Sequence, residues 1–178
     1  MAQNKINAIC RLRYWLPGVL CLVMALLSSC VTEEQPDNIG VEVGDPLPSF
    51  SLILNDGRKI TTKSLKGKKV LIELFNTSCP DCQASLPVIN TLYNNLNEQE
   101  DVEIFAIARD EVEAAIALYW EDNKFTLPYS PQPDRKVYEL FATVGIPRIF
   151  IADPAGIIIA AFGPEDTPTL SQLTTLLK

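Results

Sequence analysis

The chain has 178 residues, enough for one domain, and 47% of them are apolar against 21% charged, which excludes a disordered or fibrous protein. Acids outnumber bases 22 to 15, a formal charge of −7, which argues against nucleic acid as a partner. There is no histidine, so Ser-His-Asp and Cys-His catalysis, His-ligated metals and His-ligated haem all fall away.

Lys5, Arg11 and Arg13 precede an apolar run from Leu16 to Leu27, and no acid comes before Glu33. A short basic segment, a short apolar core and then small residues make a secretory signal peptide over residues 1–29; the run is too short for a spanning helix. It ends in Leu27-Ser28-Ser29-Cys30, which resembles the bacterial lipobox, a signal whose cysteine is acylated and becomes the first mature residue. That reading makes Cys30 a lipid-bearing anchor that holds the chain to a membrane surface. Residues 30–44 are polar and acidic, broken by Pro36, Asn38 and Gly40, and read as a tether. Residues 45–178 then form one folded domain.

Within that domain, Phe50–Leu54, Asn55-Asp56-Gly57 and Ile60 spell a short hairpin. Val70–Phe75 reads as a strand buried on both faces, and Val102–Ala108 as another. Between them Leu86, Ile89, Tyr93 and Leu96 recur at helical spacing, with Pro80 in the first turn and Pro87 as an internal kink. Asp110 is placed to cap a helix that turns Val112, Ala115, Ile116 and Tyr119 inward, and a second short helix is predicted over 135–141. Arg148–Ala152 and Ile157–Phe162 are strands joined by Asp153-Pro154-Ala155-Gly156. A last helix is predicted with Thr167 as cap, Pro168 at its first position, and Leu170, Leu173 and Leu177 inward.

The cysteines reduce to one pair. Cys10 and Cys21 leave with the signal peptide, Cys30 takes lipid, and Cys79 and Cys82 remain in Thr77-Ser78-Cys79-Pro80-Asp81-Cys82. A zinc site would need two further ligands, haem attachment would need histidine where Gln83 stands, and a bridge across so small a loop would stabilise little. A redox-active dithiol is left, placed where a buried strand hands over to a helix. The unpaired N–H groups and dipole at that helix start favour an anion, here the Cys79 thiolate.

The chain resembles the thioredoxin-like superfamily, in particular its membrane-tethered TlpA/ResA-type thiol–disulfide oxidoreductases. The residues that carry this are Gly44-Asp45-Pro46-Leu47-Pro48-Ser49-Phe50, Leu65-Lys66-Gly67-Lys68, Cys79-Pro80-Asp81-Cys82, Pro87 and Val144-Gly145-Ile146-Pro147. The resemblance implies an α/β fold with a central mixed sheet flanked by helices and an N-terminal hairpin extension. It implies that Cys79 attacks and Cys82 resolves, that Glu73 exchanges protons with Cys82, and that Ile146 and Pro147, a cis proline in the family, present backbone to substrate beside the sulfurs. Ser78, Pro80 and Asp81 complete the substrate-facing rim. Two departures stand out: Ser78 replaces a usual tryptophan, and Ser85 occupies a place where many relatives have glutamate.

The expected reaction is exchange with protein disulfides or dithiols, with no metal or organic cofactor, in a monomer re-reduced by an upstream thiol protein at the periplasmic face of the cell envelope. With no cation in the motif and Asp81 beside the sulfur, a mildly reducing protein is expected. A peroxiredoxin-like peroxidase is an alternative, weakened because Asn76 and Ile72 stand where its threonine and proline belong; a non-catalytic binding module is another.

Overall fold

The computed structural model describes residues 40–178; the expected signal peptide over 1–29, Cys30 and most of the expected tether lie outside the described residues. Among the described residues seven strands and three α-helices follow one another. They are β1 (Ser51–Ile53), β2 (Lys59–Thr61), β3 (Lys69–Phe75), α1 (Pro80–Leu96), β4 (Val102–Ala108), α2 (Glu113–Asn123), β5 (Tyr129–Ser130), β6 (Arg148–Ala152), β7 (Ile158–Phe162) and α3 (Leu170–Leu177). The main sheet has the order β5-β4-β3-β6-β7. β3 runs parallel to β4 and antiparallel to β6, so the sheet is mixed, as expected, with β3 at its centre. Leu71, Ile72, Leu74 and Phe75 are fully buried there, which fits an uninterrupted apolar strand covered on both faces.

The hairpin β1–β2 is a separate two-stranded sheet whose turn closes over β5. Asn55 N–H donates to the Tyr129 carbonyl at 2.8 Å, and Tyr129 N–H donates back to Asn55 Oδ1 at 2.9 Å. This covers an edge strand of two residues that would otherwise expose unpaired backbone groups. Arg58 on the hairpin turn reaches Glu103 on β4 at 2.6 Å, and Lys68 reaches the same carboxylate at 3.0 Å. Val41 N–H donates to the Phe141 carbonyl, and Gly44 N–H to that of Ile158, so residues 41–44 already belong to the folded body.

Several elements differ from the sequence reading. Asp110 is not a cap: it takes φ 57° at the end of β4, a left-handed conformation that aspartate tolerates. The cap of α2 is Val112, which makes no side-chain hydrogen bond. α2 buries Ile116 and Trp120, whereas Val112 and Ala115 are exposed and Tyr119 is half-buried. Trp120 donates to the Leu127 carbonyl at 2.7 Å and packs its ring 4.7 Å from Tyr129 and 5.1 Å from Phe75. The helix expected over 135–141 shrinks to one 3-10 turn, Tyr138–Leu140. α3 starts two residues later than expected: Thr169 is the cap, with Gln172 closing a reciprocal capping box.

Candidate active site

β3 ends at Phe75, and the three residues Asn76, Thr77 and Ser78 deliver Cys79 to the N-cap of α1. The turn is held by side chains. Asn76 Oδ1 accepts from Ser78 N–H at 2.9 Å, Glu111 Oε2 accepts from Thr77 N–H at 2.9 Å, and Gln83 Nε2 donates to the Thr77 carbonyl at 2.8 Å. Cys79 has extended backbone, and Pro80 opens the helix where a missing N–H leaves nothing unpaired. Both cysteines are free thiols: Cys79 is half-buried and Cys82, one turn on, is fully buried. Burial pushes the Cys82 thiol well above its usual range; a backbone hydrogen bond at Asn76 opposes the shift, and Cys79 and Glu73 add to it.

Glu73 lies on the central strand with no exposed surface. Desolvation pushes its carboxyl up to about 8, although a hydrogen bond from the Ser85 hydroxyl to Oε1 pulls the other way. Glu73 Oε2 is buried with no hydrogen-bond partner. The Ser85 hydroxyl also lies 3.2 Å from the Cys82 carbonyl, so the residue at the departure from the family pattern sits between the acid and the buried thiol's own backbone. A carboxyl in this setting holds its proton near neutrality and is suited to passing it to and from a neighbour.

On the other side, the Ile146–Pro147 peptide is cis, and the Cys79 thiol donates to the Ile146 carbonyl at 3.6 Å. Cys79, Cys82, Glu73, Ile146 and Pro147 thus converge on one junction. Ser78, Pro80 and Asp81 are exposed around the half-buried sulfur. Asp81 is the acid of the first helical turn.

Two residues beside the thiol were not anticipated. A cavity of about 310 Å³ is lined by Cys79 and Ile146 and also by Arg109 and Arg135. The motif carries no cation, but the fold brings two to it. Arg109 directly follows β4, and its place was open to inference, because loops after adjacent parallel strands meet at the carboxyl edge of a sheet. Arg135 lies in a loop with no such signal.

The profile of the AhpC/TSA family matches residues 43–161. The chain belongs to the AhpC/TSA family. The thiol–disulfide oxidoreductase ResA of Bacillus thuringiensis subsp. konkukian is 28% identical over 138 residues, covering 78% of each chain. ResA of Bacillus subtilis is 26% identical over 141 residues, covering 79% of this chain and 78% of its own. Among solved structures, a thioredoxin-family thiol:disulfide interchange protein of Chlorobium tepidum superposes with a TM-score of 0.64 at 22% identity, covering 76% of this chain and 95% of that one. StoA of Bacillus subtilis gives 0.62 at 20% identity, covering 75% of this chain and all of that one. These likenesses establish the thioredoxin-like fold for this member of the AhpC/TSA family.

Proposed function

We propose that the chain is a ResA-type thiol–disulfide oxidoreductase that exchanges disulfides with protein substrates through Cys79 and Cys82. The observation that carries this is the pairing of an accessible sulfur at a helix start with a buried one a turn later, backed by a buried carboxyl. Cys79 thiolate attacks a substrate disulfide, forming a mixed disulfide and releasing one substrate sulfur as thiolate, which takes a proton from solvent. Glu73, in its ionised fraction, accepts the Cys82 proton. Cys82 thiolate then attacks the Cys79 sulfur, leaving a Cys79–Cys82 disulfide and expelling the second substrate sulfur as a thiolate, which takes up a proton from solvent. The substrate gains two electrons, and an upstream dithiol protein returns them to the chain.

The reading of Glu73 as proton carrier is supported by its burial and its carboxyl at about 8. A net reducing direction is supported by Asp81 in the first turn and by the burial that disfavours a Cys82 thiolate; Arg109 and Arg135 act against it. Anchoring through lipid on Cys30, outside the cytoplasm, is supported by the pattern of residues 1–29 and their Leu27-Ser28-Ser29-Cys30 ending. Among the described residues no helix is long and apolar enough to cross a membrane.

Insulin reduction by the chain tests the chemistry: Cys79→Ser should abolish turnover, and Cys82→Ser should accumulate a mixed disulfide from which the partner is identified by mass spectrometry. Turnover that survives Cys79→Ser refutes the proposal. Equilibration with glutathione should give a potential well below about −120 mV, the value of a dedicated oxidant. Radiolabelled palmitate should enter the wild-type chain in bacteria and not Cys30→Ala.

A further inference from the structure

We infer that Arg109 and Arg135 make the cavity beside Cys79 a receptor for a carboxylate, so that the chain favours disulfides carrying an acidic group next to the attacked sulfur. The inference rests on the reading of Cys79 as the attacking thiol and adds the class of substrate.

Both guanidinium groups lie over the ring of Tyr138, with Cζ 5.2 Å from its centroid for Arg109 and 5.1 Å for Arg135. Tyr138 is a fully buried side chain, and its hydroxyl donates to the Gly145 carbonyl at 2.9 Å. Gly145 precedes Ile146, whose carbonyl accepts the Cys79 thiol. One rigid ring therefore fixes two cations and the segment that faces the sulfur. A ring face attracts a guanidinium electrostatically without using its N–H donors.

The uncommitted donors are those of Arg109. Among the described residues Arg109 forms no ion pair. Arg135 Nη2 donates to the Thr143 carbonyl at 3.3 Å, while its Nε has no hydrogen bond, with Glu139 Oε1 3.7 Å away. The acid in the cavity lining is Asp110, which pairs with neither arginine; Glu139, outside the lining, pairs with Arg135, so among the described residues Arg109 is the cavity cation left without an ion pair. The fork of an unpaired arginine matches a carboxylate. The anion has to arrive attached to the reactant, because the cavity wall includes the sulfur that reacts.

The test uses two chromogenic disulfides, dithiobis(nitrobenzoate) with carboxylates and uncharged dithiodipyridine, under single-turnover conditions. The full chain is the reactant, and the Cys79→Ser chain is the blank for its other thiols. Cys79 thiolate displaces one aryl thiolate from either probe, and Cys82 displaces the second. The readout is the ratio of the anionic to the neutral rate constant, which cancels changes in Cys79 itself. In the double variant Arg109→Gln/Arg135→Gln the ratio should fall about tenfold, whereas the Lys/Lys variant should retain most of it, and added salt should lower it in wild type. An equal ratio in all three proteins overturns the inference. Two probes that both fail to react with wild type above the blank overturn the role of Cys79 and this inference with it. Cystine-bridged peptides with Glu or Gln beside the cysteine separate the sources: faster reaction of the Glu peptide assigns the carboxylate to an acidic residue of a protein substrate. A preference confined to the small probes assigns it to a low-molecular-weight disulfide.

Discussion

Replacing Glu73 by glutamine should change how stability depends on pH, and the size of the change follows from the site. The carboxyl titrates at 4.5 in its ordinary state and at about 8 in the fold, because burial disfavours its charge. Below pH 4.5 both folded and unfolded chains hold the proton. Between 4.5 and 8 the unfolded chain releases it while the folded chain keeps it, so stability falls as pH rises. Above 8 both release it and the full loss persists. At 1.36 kcal/mol per pKa unit the whole shift amounts to about 5 kcal/mol, most of it falling between pH 5 and 8. That is a large share of a typical net stability of about 5–15 kcal/mol. With no histidine in the chain, little else titrates between roughly pH 5.5 and 7.5. Urea unfolding with reductant at pH 5, 6, 7 and 8 should show the wild-type midpoint dropping by more than about 1 M relative to Glu73→Gln. The glutamine keeps an acceptor for Ser85 and puts its NH2 where Oε2 has no partner, so its offset at low pH reports packing, and the pH-dependent difference reports the charge. Parallel curves for the two proteins would refute the reasoning.

Ser85→Ala removes the one hydrogen bond that pulls the Glu73 carboxyl downward, so the fall of stability should extend to higher pH than in wild type in the same urea series, with a general loss of about 1–3 kcal/mol. An unmoved pH profile would show that the hydroxyl does not act on the acid. Trp120→Ala empties the aromatic cluster between Phe75 and Tyr129 and leaves the Leu127 carbonyl unpaired, with an expected loss of about 3–5 kcal/mol by thermal or chemical denaturation. Glu103→Ala leaves Arg58 and Lys68 without their shared, nearly buried carboxylate; a loss of about 1–2 kcal/mol is expected, and no loss would mean that the hairpin is held by its hydrogen bonds to β5 and its buried apolar side chains without these ion pairs.

The parts of the fold that the sequence makes legible are those where a single local rule decides. Val102–Ala108 and Arg148–Ala152 are strands over those very residues, because a continuous apolar run between turn signals has one stable use in an α/β domain. The short elements were settled by tertiary contacts. β5 is two residues long and exists because β4 and the hairpin turn bind it from two sides. Tyr129-Ser130 carries no periodicity that would mark it. Residues 135–141 have helical composition, yet Tyr138 is drawn fully inward to meet Gly145, and only one tight turn survives. On α2 the buried stripe follows Trp120 rather than Val112 and Ala115, since the large ring fills the gap beside Phe75.

The candidate site divides in the same way. The position of Cys79 and Cys82 is readable because an apolar strand run before them and helical spacing after them bracket the strand–turn–helix junction where they lie. The burial of Glu73 was open at the level of sequence, since a glutamate in an apolar strand can face either way; in the fold it meets Ser85 of α1, which covers its face of the central strand, and no surface is left exposed. The arginines mark where local reading stops. Arg109 and Arg135 are 30 and 56 residues beyond Cys79, and nothing near Thr77–Cys82 announces them. They meet the thiol because β4 runs parallel to β3 and ends beside it, and because Tyr138 offers both the same ring. A sulfur's electrostatic surroundings are set by the sheet edge at which it lies. The charge of its four-residue motif is therefore an incomplete guide to its reactivity, and it indicated no cation where the fold places two.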